Sequence, residues 1–228
     1  MLLGGTQGYI LVFVAMMIAL FAQSRVQGTY AKYSQIASSS GRTGADVSRD
    51  ILSRSGLDDV KVAMVEGRLS DHYDPRIRVV RLSREVFAGT SLAALGIAAH
   101  ETGHALQHHE SYAPLALRGA ILPVVSIGSN LAFPLFLIGM LMSSDMLMSA
   151  GIVLFSAVVF FQLLTLPVEF NASNRAIELL DSGGYITREE AGPVKQMLRA
   201  AGFTYLAATA VALANLARLL LLRNSRRR

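Results

Sequence analysis

The residues best equipped for chemistry in this chain are His100, Glu101 and His104, in the run SLAALGIAAHETGHALQ from Ser91 to Gln107. Two histidines four apart on a helix lie one turn above each other, roughly 6 Å apart along the axis, so both imidazoles reach one ion with bonds of about 2 Å. The glutamate directly after the first histidine lies beside the open position of that ion, where it can take a proton from an activated water and pass it to a leaving amine. The expected chemistry is peptide hydrolysis at a zinc centre, with Glu101 as base. A histidine pair on an alanine-rich helix can also be an ordinary core element. Against that, Leu92, Ala93, Ala94, Leu95, Ile97, Ala98 and Ala99 predict a buried helix, and His and Glu are costly to bury without a metal or tight pairing.

A catalytic zinc takes three protein ligands plus water, and His-His-Glu is one of the standard sets. The chain has no cysteine, which excludes disulfides and leaves histidine and carboxylate to hold a metal. Glu169, the first carboxylate after a pair of long apolar runs, is the expected third ligand; the alternative is an acidic residue favoured in a helix's first turn by the dipole. His104 and His108 repeat the four-residue spacing, but no glutamate follows His104. One ion cannot reach His100, His104 and His108 spread over roughly 12 Å of helix, so His108 and His109 read as polar residues at a helix end. The segment from Gly67 to Pro75 contains Asp71, His72, Tyr73 and Asp74. Asp-Pro is ordinary turn chemistry, and the functional alternative is that His72 or Tyr73 leans over the metal and stabilises a developing oxyanion.

Those residues need elements to hold them. The run from Gly8 to Ala22 is uncharged and apolar, with no basic start upstream, and predicts an uncleaved membrane helix. From Ser24 to about Arg118 the composition is that of a water-soluble domain. Thr43 with Asp46 resembles a capping box for a helix over 45–55 closed by Gly56. Runs 60–66 and 77–82 predict two strands pairing as a small antiparallel hairpin, whose exposed edge could hold an extended substrate. Runs 119–144 and 146–166 are each long enough to cross a bilayer, and their short connection makes an antiparallel hairpin that returns the chain to the side it left. Glu169 then begins a helix to about Ser182, stopped by Gly183 and Gly184. Residues 187–202 form a further helical segment, interrupted or restarted at Pro193, and 204–222 a last apolar run.

The 228 residues carry a net charge of +5, but five of the 21 basic residues are Arg218, Arg223 and Arg226 to Arg228. Such a cluster beside an apolar run anchors a helix end at lipid headgroups rather than binding nucleic acid. The basic flank at Arg25 and Lys32 places the N-terminus outside and the following segment in the cytoplasm.

Three stretches in order, GRLSDHYDPR, HETGHALQHHESYAPLALR and, after a membrane hairpin, LPVEFNASNRA, resemble the YugP-like neutral zinc metallopeptidases of bacterial membranes. More distantly the chain is similar to HtpX and the CaaX prenyl proteases, gluzincins in which a helical hairpin also separates the His-Glu-x-x-His helix from the glutamate ligand. The resemblance implies a mainly α membrane protein: a minimal zincin-like catalytic domain with a small antiparallel sheet on three to four transmembrane helices. It implies Zn2+ as cofactor, His100, His104 and Glu169 as ligands, and Glu101 as general base. It adds weight to His72 and Tyr73. HtpX-type proteins have an aspartate where this chain has Ser173, which leaves the group orienting a ligating histidine open between Ser173, Asn171 and another residue.

The expected organisation is a membrane helix over 1–23, the first part of the catalytic domain over 24–118, a membrane hairpin over 119–167, the second catalytic part over 168–203, and a membrane helix with a basic tail over 204–228. The expected function is a multi-pass cell-membrane zinc endopeptidase acting on membrane-proximal or unfolded polypeptides in protein turnover or quality control, with its catalytic domain in the cytoplasm. The rival is a zinc-stabilised membrane scaffold without catalysis.

Overall fold

The computed structural model describes residues 3–227. Met1, Leu2 and Arg228, at the ends of the expected first and last membrane segments, lie outside the described residues. The elements are α1 (Leu3–Tyr33), α2 (Gly44–Arg54), β1 (Lys61–Val65), β2 (His72–Asp74), β3 (Val79–Ser83), α3 (Arg84–Phe87), α4 (Leu92–His109), α5 (Ala113–Leu141), α6 (Asp145–Ser182) and α7 (Arg188–Arg227). The protein is mainly α with a small sheet. Among the described residues, α1, α5, α6 and α7 are long and apolar enough to cross a membrane.

The chain divides into two units. The first comprises residues 1–23, 116–167 and 203–228. Lipid tails are as apolar as leucine, so helices here associate by close approach rather than by escape from water. Glycines supply it: a methyl group at Gly139 would stand 2.5 Å from Met148 N, and one at Gly151 2.6 Å from Ala132 O. Phe136, Met148, Ile152 and Leu219 are buried together beside these contacts. Arg223 pairs with Asp145 through two hydrogen bonds of 2.8 Å, tying the end of α7 to the start of α6.

The second unit comprises residues 24–115 and 168–202. Its core gathers Val47, Ile51 and Leu52 of α2, Val80 and Leu82 of β3, Leu92 and Leu95 of α4, and Leu180 and Val194 from the chain's second half. Burying each such side chain stabilises the fold by about 1.5–3 kcal/mol. The capping box forms as expected: Thr43 Oγ1 accepts the Asp46 N–H at 3.1 Å and Asp46 accepts the Thr43 N–H at 3.4 Å. Gly56, at φ +72°, ends α2 in the left-handed conformation glycine adopts without strain.

Three expectations are corrected. The two predicted strands do not pair as an antiparallel hairpin: β1 lies parallel to β3, Lys61 opposite Val79. The hairpin that does form joins β3 to β2, within the stretch read as a loop, and pairs Tyr73 with Val80. Three residues are too few to show an alternation, so the strand was invisible. Next, no helix begins at Glu169, because α6 runs unbroken from Asp145 to Ser182 through Pro167. An interior proline removes one ladder bond, whereas ending a helix at membrane depth would leave several backbone groups unpaired. Helix α7 likewise passes Pro193, near its start, and continues through the last apolar run as one helix.

Candidate metal centre

Helix α4 carries three of the expected residues. Its start is fixed by Ser91, whose hydroxyl accepts the Ala94 N–H at 3.2 Å. Its middle is fixed by Thr102, whose hydroxyl donates to Ala98 O at 2.7 Å and lies 3.0 Å from Ser48 Oγ of α2. One turn apart, the His100 and His104 rings meet edge to face with centroids 4.8 Å apart. Helix α6 brings Glu169, only 3% exposed, against both. Its Oε2 stands 3.4 Å from His100 Nε2 and 3.6 Å from His104 Nε2.

Ligand atoms of these three residues all lie within 4.8 Å of one another, and among the described residues they form the group able to share an ion. Two donors each about 2.0–2.1 Å from a tetrahedral ion stand roughly 3.4 Å apart. Two imidazoles and a buried carboxylate at this spacing fit zinc, and their chemistry matches its nitrogen and oxygen preferences.

The approach of α6 to α4 depends on a glycine inside the His-Glu-Thr-Gly-His run. A methyl group at Gly103 would stand 3.0 Å from the carbonyl oxygen of Ala172, one turn along α6 from Glu169. Each of the two histidines has a partner on its other nitrogen. Ser173 Oγ is 3.2 Å from His100 Nδ1, and Gln107 Oε1 is 3.0 Å from His104 Nδ1. Of the residues the sequence left open, Ser173 therefore meets a histidine, while Asn171 meets Gln107 instead, at 2.9 Å. Sequence reading missed Gln107. Its one signal was the i+3 spacing from His104, which puts both on one helix face.

Glu101, half-buried, projects from the same turn as His100. Asp71 lies near enough to feel it: burial pushes the Asp71 carboxyl up, two hydrogen bonds from Ser83 oppose that, and the Glu101 charge adds to the rise. Those bonds, at 2.7 Å from Ser83 N and 3.0 Å from its hydroxyl, tie the start of β2 to the end of β3. His72 and Tyr73 follow on β2, where successive side chains point to opposite faces. His72 is exposed, with Nδ1 2.8 Å from Ser70 O. The Tyr73 hydroxyl lies 2.9 Å from Nδ1 of His108 in the last turn of α4. Burial raises the Tyr73 phenol, against the opposing pull of Arg78. His108 and His109 are exposed at the helix end as expected, but the bond between His108 and Tyr73 could not be read from spacing.

Fold and site together define a helical membrane protein built around a His-His-Glu centre suited to zinc. The chain belongs to the family described as "putative neutral zinc metallopeptidase", whose model matches residues 8–224. It is 51% identical over 212 residues, 93% of this chain and 94% of the relative, to a Bacillus subtilis (strain 168) protein named "Putative membrane protease YugP". No solved structure matches. Zinc is the metal that this family's description names, and the chain is a membrane protein.

Proposed function

We propose that this protein is an integral-membrane zinc endopeptidase of the gluzincin type. The observation that carries the reading is the convergence of two imidazole Nε2 atoms and one buried carboxylate, with a further glutamate adjacent to the first histidine on the same helix. His100, His104 and Glu169 hold the ion. Zinc, when bound, supplies a Lewis acid that acidifies water and polarises a carbonyl. Glu101 accepts the proton of the attacking water and delivers it to the leaving amine, which completes hydrolysis without a covalent enzyme intermediate. Of His72 and Tyr73, the geometry favours Tyr73 as the neutral donor to the developing oxyanion, since His108 holds its hydroxyl toward α4.

Segments 24–118 and 168–203 form the catalytic part, and 1–23, 119–167 and 204–228 the membrane part. The catalytic part faces the cytoplasm, supported by Arg25, Lys32 and Arg118 beside the spans and opposed by the arginine tail. Substrates are membrane-proximal or unfolded polypeptides, and the role is membrane protein turnover or quality control.

Detergent-purified wild type should hold one zinc per chain and cleave unfolded casein. Glu101→Gln should keep the zinc and lose activity by about 10²–10⁴-fold, while His104→Ala and Glu169→Ala lose the metal. Full zinc in Glu169→Ala would remove the third ligand. Undiminished cleavage by Glu101→Gln would remove the base, and a wild type that holds zinc but cleaves nothing would favour the scaffold.

A further inference from the structure

We propose that Gln107 is the positioning residue of the metal centre, a single buried amide that fixes the tautomer of His104 and the register of the helix bearing Glu169. The inference rests on the zinc reading above and concerns how the ligands are held rather than which they are. Gln107 is 0% exposed, in the core of α4. A buried amide is costly unless its donors and acceptor are used, and here they are.

Its nitrogen faces two oxygens, Val168 O at 2.8 Å and Asn171 Oδ1 at 2.9 Å. Only the NH2 end can serve two acceptors, so the chemistry of the partners decides which end points where. Asn171 is oriented in the same way, because its Oδ1 also accepts from Arg175 Nε at 2.8 Å. Arg175 is in turn clamped by both oxygens of Glu110, at 2.8 and 2.6 Å. Every polarity in the chain Glu110, Arg175, Asn171, Gln107 is thereby set.

Gln107 Oε1 is left as an acceptor 3.0 Å from His104 Nδ1. His104 must therefore carry its proton on Nδ1, and its Nε2 presents a lone pair toward Glu169 and His100. The same amide grips the carbonyl of Val168, the residue immediately before Glu169. One side chain on α4 thus aims a ligand of its own helix and registers the ligand of the other. Ser173 does less for His100, since a hydroxyl can donate or accept and selects no tautomer.

The test is zinc affinity of the full-length chain in detergent, by competition with a chelator, for wild type, Gln107→Leu and Gln107→Glu, together with thermal unfolding and 15N NMR of histidine-labelled protein. Gln107→Leu should weaken zinc binding by about 10–100-fold in the folded protein and mix the His104 tautomers. Gln107→Glu should keep the Nδ1–H tautomer through its carboxylate, yet still bind zinc more weakly, because its oxygens oppose those of Val168 and Asn171. A purely structural glutamine would lower the unfolding temperature and leave affinity unchanged, which overturns the proposal. Should Gln107→Leu fail to fold, the wild-type spectrum is decisive: a His104 not protonated on Nδ1, zinc-free or loaded, overturns it. A wild type that binds no zinc overturns the reading of the centre itself, an outcome distinct from the others.

Discussion

Tyr73 is the hydroxyl proposed above as the donor to the oxyanion. A phenol serves as an oxyanion donor while neutral; burial raises the Tyr73 group, and its hydroxyl lies 2.9 Å from His108 Nδ1 in the last turn of α4. Tyr73→Phe removes the donor and keeps the ring that packs against the core. It should lower kcat by about 10²–10³-fold and leave KM and zinc content near wild type, since the bond is made in the transition state alone. Steady-state cleavage of one fluorogenic peptide by both proteins measures this, and an equal loss in KM would return Tyr73 to a packing role. His72, bonded to Ser70 O on the other face of β2, offers a built-in comparison: His72→Ala should change kcat much less.

At the level of elements, the centre depends on how closely two helices approach. A side chain at residue 103 would crowd α6, because the neighbour it meets at 3.0 Å is the Ala172 carbonyl and not the end of a flexible side chain. Gly103→Ala should displace α6 at the turn that carries Glu169 and Ser173. A misplacement of about 1 Å can cost about 100-fold in activity, and the smaller shift that this contact requires should cost less than that. Zinc affinity should fall with activity, while far-UV circular dichroism shows the helices intact. Unchanged affinity would mean that α6 accommodates the methyl group without moving its ligand. The sheet matters less for the ligands and more for what surrounds them: β2 carries Tyr73, and Asp71 at its entry anchors it to Ser83.

Across the whole chain, the membrane unit makes its own prediction about sidedness. Near the start of α1, a methyl group on Gly8 would stand 2.9 Å from Arg218 Cγ, and Arg218 lies over the Tyr9 ring at 5.5 Å. At the other membrane loop, Arg223 pairs with Asp145, and Arg226 bonds the Met140 carbonyl and reaches Ser143 Oγ at 3.5 Å. The start of α1, the turn between α5 and α6, and the end of α7 therefore lie on one side. The chain contains no cysteine, so single cysteines report cleanly. Thr6→Cys, Ser143→Cys and Ser225→Cys should react alike with an impermeant maleimide in intact cells. All three should be accessible if the catalytic part is cytoplasmic and protected if it is not. A mixed result would refute the four-span arrangement.

The sequence by itself made the helix-borne half of the candidate centre legible. His100, Glu101 and His104 lie within five residues of one helix, so helical geometry alone sets their mutual placement. The apolar runs were equally legible, because the bilayer imposes a length and a composition that any sequence must show. The capping box at Thr43 and Asp46 was local too. What needed the tertiary structure was whatever depends on two distant segments meeting. Sequence order marked Glu169 as a candidate, but only the packing of α6 on α4 brings its carboxylate to 3.4 Å from His100. The parallel pairing of β1 with β3 follows from a three-residue strand too short to leave a pattern. Gln107 reads as one more polar residue near a helix end until Val168 and Asn171 of α6 close on its amide. Hydrogen bonds between side chains far apart in the chain have no period in sequence, and that is where this centre gains its precision.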